Sequence, residues 1–158
     1  MQVRFDVADR LIDVAAEGYD LDVRVGDDIA PHVIARKIAN NHRVLCAAPA
    51  YLAERGVPRT LAELPSHDCL VIKERDHPFG VWRVHRGRQA HTVKVRGPLS
   101  ANNGEMVVQW AVDGRGIILR SMWDVGPLIA QGKLAQVLPQ YRHCLLYTSD
   151  AADERSSV

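Results

Sequence analysis

The sequence has few cysteines, almost no net charge and no long apolar run, and each of these features excludes a class of protein. Cys46, Cys69 and Cys144 cannot form a closed set of disulfides, and no two have the C-x-x-C spacing of zinc or redox sites. The net charge of +1 gives no overall attraction to nucleic acid or an anionic membrane. No run approaches the roughly 20 apolar residues of a transmembrane helix. We therefore expect a cytoplasmic globular domain that does not itself bind DNA.

Catalytic and cofactor motifs are also missing. Gly114-Arg115-Gly116 lacks the third glycine of a dinucleotide-binding loop and precedes an apolar strand rather than a helix. No G-x-S-x-G, H-E-x-x-H or P-loop sequence occurs, and none of the seven histidines forms an i, i+4 pair. Cys69 follows His67-Asp68 but opens an apolar strand, where cysteine is usually a small buried hydrophobe. The sequence predicts no enzyme, no metal and no cofactor.

The apolar pattern predicts an α/β domain. Residues 3–7, 9–18 and 20–25 have the pattern of a strand, a helix capped by Asp9 and a second strand, which together predict a βαβ unit with a parallel pair. Further predicted elements are strands at 33–39, 42–48, 69–73, 116–119 and 134–138, a hairpin at 81–85 and 92–95, and helices at 50–55, 104–112 and between Ser121 and Gly132.

The segment Ala101-Asn102-Asn103-Gly104-Glu105 has the spacing of a helix start, with Asn102 as the predicted cap and Glu105 three residues on. The free N–H groups of such a start can bind a carboxylate or another anion. A plain structural cap has the same pattern, and spacing alone favours that interpretation.

Two further patterns have both a structural and a functional interpretation. Between Trp82 and Arg96 there are five Arg or Lys residues and no acid, which could bind nucleic acid but on a hairpin is more often a solvated face. Trp82, Trp110 and Trp123 could stack on a ligand, although their positions favour the core.

Three blocks, in this order and spacing, resemble the LysR-type bacterial transcriptional regulators. The first is residues 9–26, DRLIDVAAEGYDLDVRVG. The second is residues 43–52, RVLCAAPAYL, followed by Pro58-Arg59-Thr60 and His67-Asp68-Cys69-Leu70. The third runs from Asn102-Asn103-Gly104 through residues 113–117, DGRGI, to 120–125, RSMWDV, and Gly132-Lys133-Leu134. The likeness extends over about Val3 to Tyr141 and is specific only as a set.

The resemblance implies a fold like that of the type II periplasmic binding proteins, with two α/β lobes, two crossovers and an effector cleft between the lobes. Residues 1–26 would be a part of the first lobe, with a crossover near Gly26. Residues 27–141 would be the second lobe, and residues 142–158 would be a tail that looks foreign to the domain. The cleft residues implied are Ala8, Asp9, Gly26, Asp27, Ala48, Asn102, Asn103 and Gly104.

By the same resemblance the chain would be an effector-sensing regulatory domain, controlling the geometry of a DNA-bound oligomer. Its partners would be a small-molecule effector, for which the free N–H groups favour a carboxylate, and further copies of the intact protein. DNA would be bound only through an N-terminal domain that this chain lacks. The alternative is a periplasmic-type solute-binding protein of a transporter, which has the same fold.

Overall fold

The computed structural model describes residues 2–6, 12–23, 34–73 and 78–144, and the packed elements lie between residues 42 and 144. In chain order these are β1 His42–Ala47, α1 Pro49–Arg55, a 3-10 turn Leu61–Ser66, β2 Val71–Ile72, β3 Val81–Arg86, β4 Gln89–Lys94, β5 Ser100–Ala101, α2 Gly104–Val112, β6 Ile118–Ser121, α3 Met122–Ala130, β7 Ala135–Val137 and β8 His143–Cys144.

The central strand of the sheet is β1, which pairs antiparallel with β6 on one side and with β7 and β8 on the other. Strand β2 pairs parallel with β5, and a parallel bridge between Cys69 and Ile117 joins β2 to the start of β6. The resulting order is β5, β2, β6, β1, β7. Strands β5, β2 and β6 therefore run in one direction and end at one edge, where β1 begins. We call this the helix-start edge, because α2 and α3 begin there.

Two clusters of apolar side chains cover the two faces of this sheet. The alternation along β1 places Leu45 and Ala47 in one cluster, with Trp82, Val84 and Val93 of the β3–β4 hairpin. Val44 and Cys46 belong to the other cluster, which contains the buried residues Val107, Ala111 and Val125 of α2 and α3. The domain thus has three layers, with the hairpin on one face of the sheet and the two longer helices on the other.

The predicted βαβ unit and the separate strand predicted at 33–39 are wrong for the residues that the structure describes. Residues 2–6, 12–23 and 34–39 contain no strand or helix, and only a turn at 14–18 occurs where the helix was expected. Phe5, Leu21 and Ile34 are 82%, 77% and 100% exposed. The local pattern was that of strands, but a strand is stable only beside a partner strand, and these segments have none among the described residues. The remainder of the predicted unit lies outside the described residues.

The last described residues are attached to the sheet. His143 and Cys144 pair with Arg43 and His42 of β1, and the backbones of Arg142 and His85 exchange hydrogen bonds of 2.6 and 3.0 Å. The tail predicted over 142–158 therefore overlaps the sheet at its start, whereas residues 145–158 lie outside the described residues. The lobe boundary near residue 26 stays a prediction, because residues 24–33 also lie outside the described residues.

Candidate functional site

The Asn-Asn-Gly segment follows β5 directly and begins α2 at the helix-start edge. The cap of α2 is Asn103, whose Oδ1 accepts a 3.0 Å hydrogen bond from the N–H of Met106. The predicted cap, Asn102, is exposed and precedes the helix by a further residue. The prediction was wrong by one position, because Asn at either place satisfies the local spacing. Gly104 is the first residue of the helix.

Arg120, near the end of β6, reaches over the start of α2. A Cβ added at Gly104 would lie less than 3.0 Å from three atoms of the Arg120 guanidinium group. The absence of a side chain at position 104 is what allows the cation to pack onto the first turn of the helix. Arg120 is a residue of this site that the sequence patterns did not indicate. Its only sequence signal is a cation that ends an apolar strand and immediately precedes a helix cap.

The Arg120 side chain is 22% exposed and pairs with Asp124 in the first turn of α3. Arg120 Nε lies 2.9 Å from Asp124 Oδ2, as an ion pair whose N–H is not aligned for a hydrogen bond. The two Nη groups of the same guanidinium lie on the side of Gly104. A bound anion would therefore share the guanidinium group with Asp124 rather than meet a free cation.

The second helix, α3, begins at the same edge. Ser121 caps it, accepting a 3.2 Å hydrogen bond from the N–H of Trp123 while donating one of 2.9 Å to Asn41 Oδ1. Two helix N-termini, each with partial positive charge, thus lie on either side of Arg120. In open α/β sheets the carboxyl ends of the strands are where ligands usually bind, and this edge is formed by such ends.

Of the other predicted cleft residues, Ala48 is at the opposite edge. Val44 is the register partner of Arg120, and Ala48 lies four residues further along the chain, about 13 Å at the usual rise of a strand. It is 3% exposed and stands at the start of α1 without a side-chain cap. The structure therefore brings together Asn102, Asn103 and Gly104 but not Ala48. Ala8, Asp9, Gly26 and Asp27 lie outside the described residues.

The tryptophans do not form one set. Trp82 is 8% exposed in the core, and Trp110 packs partly buried against the second cluster. Trp123 is 56% exposed in the first turn of α3, so the expected core position is wrong for this residue. Met106, in the first turn of α2, is 50% exposed. Each helix start thus carries one large apolar side chain that contacts solvent.

A groove of about 380 Å³ lies at the opposite end of the sheet from this edge, before β2 and β5. It is held by a hydrogen-bond network in which the Tyr51 hydroxyl accepts from the N–H of Asp68 at 2.9 Å and lies 3.1 Å from His67 Nδ1. These contacts fix the loop before β2. The groove lies away from Asn103 and Arg120 and is not part of the predicted site.

Cys46 and Cys69 have the environment of core residues. Burial raises the pKa of Cys46 to about 12, and burial together with the charge of Asp68 raises the pKa of Cys69 to about 12. Neither thiol is a nucleophile at neutral pH, since the thiolate is the reactive form. Within the described ranges there is no His, Cys, Asp or Glu cluster that could hold a metal ion, and no helix that is long and apolar enough to cross a membrane.

The described residues form an α/β lobe whose two longer helices begin at one edge of the sheet, and comparison with known proteins identifies the family. The chain belongs to the LysR substrate binding domain family, which it matches over residues 1–155. It is 58% identical over 141 residues to the HTH-type transcriptional regulator DmlR of Escherichia coli K12, covering 89% of this chain and 46% of that protein. It is 50% identical, with the same coverage, to the transcriptional activator TtdR of the same strain. The chain thus spans about half the length of these relatives.

Solved structures agree with this assignment. The regulatory domain of AphB in Vibrio vulnificus superimposes with a TM-score of 0.70 at 27% identity, over 89% of this chain and 67% of that one. CrgA, a LysR-type transcriptional regulator from Neisseria meningitidis, superimposes with a TM-score of 0.69 at 26% identity, over 83% of this chain and 47% of that one. LysR regulatory domains have the two-lobed, periplasmic-binding-protein-like α/β fold, so the predicted fold class and family are confirmed. No finding supports the transporter alternative.

Proposed function

We propose that this chain is the effector-sensing part of a bacterial LysR-type transcriptional regulator that acts on DNA in the cytoplasm as a homo-oligomer. The observation that carries the proposal is the 58% identity to a transcriptional regulator across most of the chain. The relatives with this domain are regulators rather than enzymes, and the described residues offer no activated nucleophile. The lobes would be residues 1–26 and 27–141.

We further infer that the effector binds at the helix-start edge, against Asn102, Asn103, Gly104 and Arg120, with Ala8, Asp9, Gly26 and Asp27 as the proposed opposite wall. Ala48 is left out of this proposal because of its position at the other edge. The guanidinium group of Arg120 and the N–H groups of the first turns of α2 and α3 favour an anion. A small carboxylate fits these donors.

Trp123 and Met106 extend the proposed site beyond the charged group. Both are exposed and both lie in the first turn of a helix that begins at the edge. An effector with an apolar body next to its carboxylate would cover part of these two side chains. Each buried CH2 contributes about 0.8 kcal/mol, which distinguishes such an effector from a bare anion.

Thermal unfolding of the chain tests this site. The probes are acetate, succinate and benzoate, each compared with its neutral amide. A ligand at about 100 times its Kd stabilises the native state by about 2.7 kcal/mol, which raises Tm by several degrees for a domain of this size. We expect at least one carboxylate, but not its amide, to raise Tm.

Arg120→Gln should abolish that rise, whereas the matched Arg115→Gln, which removes an exposed arginine elsewhere, should retain it. An equal rise in Tm for the wild-type chain and Arg120→Gln would refute the placement of the site. The absence of a rise with every carboxylate would refute the proposed chemical class.

A further inference from the structure

The β3–β4 hairpin concentrates positive charge that the near-zero net charge conceals. Residues 77–104 contain five of the twenty Arg and Lys residues and none of the nineteen Asp and Glu residues. The other parts of the chain therefore have fifteen cations against nineteen anions, a formal charge of −4. The charge of this protein is segregated rather than balanced, and the hairpin is its basic part.

The register of the hairpin places two of its cations, Arg83 and Lys94, on one face, whereas Arg86 alternates to the other side and Arg88 lies in the turn. Trp82 pairs with Val93, and Val84 pairs with His91. Trp82, Val84 and Val93 are buried against the sheet. Arg83 pairs with Thr92 and Lys94 with Val81, so these side chains are on the opposite, solvent-facing side. Arg83 and Lys94 are both exposed. Arg96, two residues beyond Lys94, is exposed as well.

A third segment adds a cation to the same face. Arg142 is the antiparallel partner of His85 across the other side of β3, and it is exposed. The neighbouring Tyr141 packs its ring edge-on against His91, 5.4 Å between centroids, on the inner side. By alternation Arg142 lies on the outer side. We call Arg83, Lys94, Arg96 and Arg142 the basic face.

We propose that, contrary to the expectation from net charge that this chain does not contact DNA, the basic face binds the phosphate backbone of duplex DNA. Its chemistry is that of a phosphate-positioning surface, since binding to the backbone needs cations and carries no sequence information. Protein interfaces depend on buried aromatic anchors at their centre, and the paired residues of this face, Val81, Ala90 and Thr92 among them, include none. An acidic protein is therefore the weaker candidate.

The proposal rests on the proposed function only for how DNA comes close to the face, since a regulator that is held on DNA brings its sensing domains near the flanking duplex. Binding itself is a property of this chain and does not depend on an effector. A failure of DNA binding would therefore leave the effector site untouched, and a failure of the effector site would leave the basic face untouched.

Fluorescence anisotropy with a labelled, arbitrary duplex of about 20 base pairs tests the basic face, with salt varied between about 50 and about 200 mM. With four phosphates neutralised, the slope of log K against log salt should be about −3.6, which is a loss of about 150-fold in affinity over that range. The variant Lys94→Gln, Arg96→Gln, Arg142→Gln keeps only Arg83 of the basic face. Its affinity should fall only about 3- to 4-fold over the same salt range, from a much weaker value at low salt.

The matched control is Arg59→Gln, Arg115→Gln, Lys133→Gln, which removes the same charge from exposed positions away from the hairpin. It should keep a salt slope close to that of the wild-type chain. If the two triple variants lose the same affinity for the duplex, the proposal is overturned, because net charge alone would then account for binding. Tighter binding of poly-glutamate than of the duplex would also overturn it, in favour of an acidic protein partner.

Discussion

Replacing Gly104 by alanine tests how the guanidinium group of Arg120 occupies the space at the start of α2. In an isolated helix alanine is favoured over glycine by about 1 kcal/mol. Here the new Cβ would meet the guanidinium group at less than 3.0 Å, so that group has to move. It is the end of a flexible side chain, and moving it costs its pair with Asp124, about 0–1 kcal/mol for a partly exposed pair.

The two effects oppose each other, so Gly104→Ala should change the free energy of unfolding by less than about 1 kcal/mol. In an Arg120→Ala background nothing opposes the gain, and the same substitution should stabilise by up to about 1 kcal/mol. The coupling energy between the two positions should then be about 0.5–1 kcal/mol, within the range for residues in contact. Chemical denaturation of the four chains measures it.

A second double-mutant cycle, with Gly104→Ala and Arg115→Ala, should give no coupling energy. Arg115 is exposed, and none of its atoms is among those nearest to Gly104. If Gly104→Ala destabilises by more than about 2 kcal/mol with and without Arg120, the backbone and not the guanidinium group requires glycine there. If the coupling is zero, the cation does not pack on the helix start, and the structural basis of the proposed anion site is lost.

Two further predictions concern the cap and the core. Asn103→Ala should destabilise the chain by about 1 kcal/mol in chemical denaturation, because the Asn103 side chain accepts a hydrogen bond from the N–H of Met106. Asn102 is exposed, and Asn102→Ala should change stability by less than about 0.5 kcal/mol. A larger loss for Asn102→Ala would show that Asn102 is the cap. With thiol pKa values of about 12, Cys46 and Cys69 should react with a disulfide reagent at mildly alkaline pH only when the chain unfolds, so rapid labelling of either one in the native chain would contradict their burial.

The elements that were predicted well are those whose partners lie within residues 42–144. The strand expected at 42–48 is β1, the hairpin expected at 81–85 and 92–95 is β3 and β4, and the helix expected at 104–112 is α2. In each of these, local periodicity and the packed environment agree. The segments expected at 3–7 and 20–25 alternate equally well, and the segment at 33–39 is apolar and β-branched, but their described parts have no strand partner among the described residues. A local pattern predicts an apolar face that could be buried, but it does not show whether the chain supplies a partner that packs on that face.

The site illustrates a second limit. Asn102, Asn103 and Gly104 are adjacent in sequence and could be proposed together, although the cap was assigned one residue too early. Arg120 is distant in sequence and reaches the same place only because β6 ends beside the start of α2. Ala48 was proposed from the resemblance, and the antiparallel register of β1 with β6 places it at the other edge. Strand order and direction, which local patterns do not encode, decided both outcomes.

The helix-start edge is also where β1 begins and where β8, the last described strand, ends. Asn41, the residue before β1, accepts the hydrogen bond of Ser121, which in turn caps α3, and β8 ends the described chain beside the start of β1. A ligand shifts a conformational equilibrium only through a difference in its affinity for the two states. An effector held by Arg120 and the two helix starts would lie next to the segment that precedes β1. Movement of that segment would change the Ser121–Asn41 contact, and with it the N-terminus of α3 that the effector faces. Under the proposed function, occupancy of this edge would therefore be coupled to the segment that precedes β1 without any long path through the core.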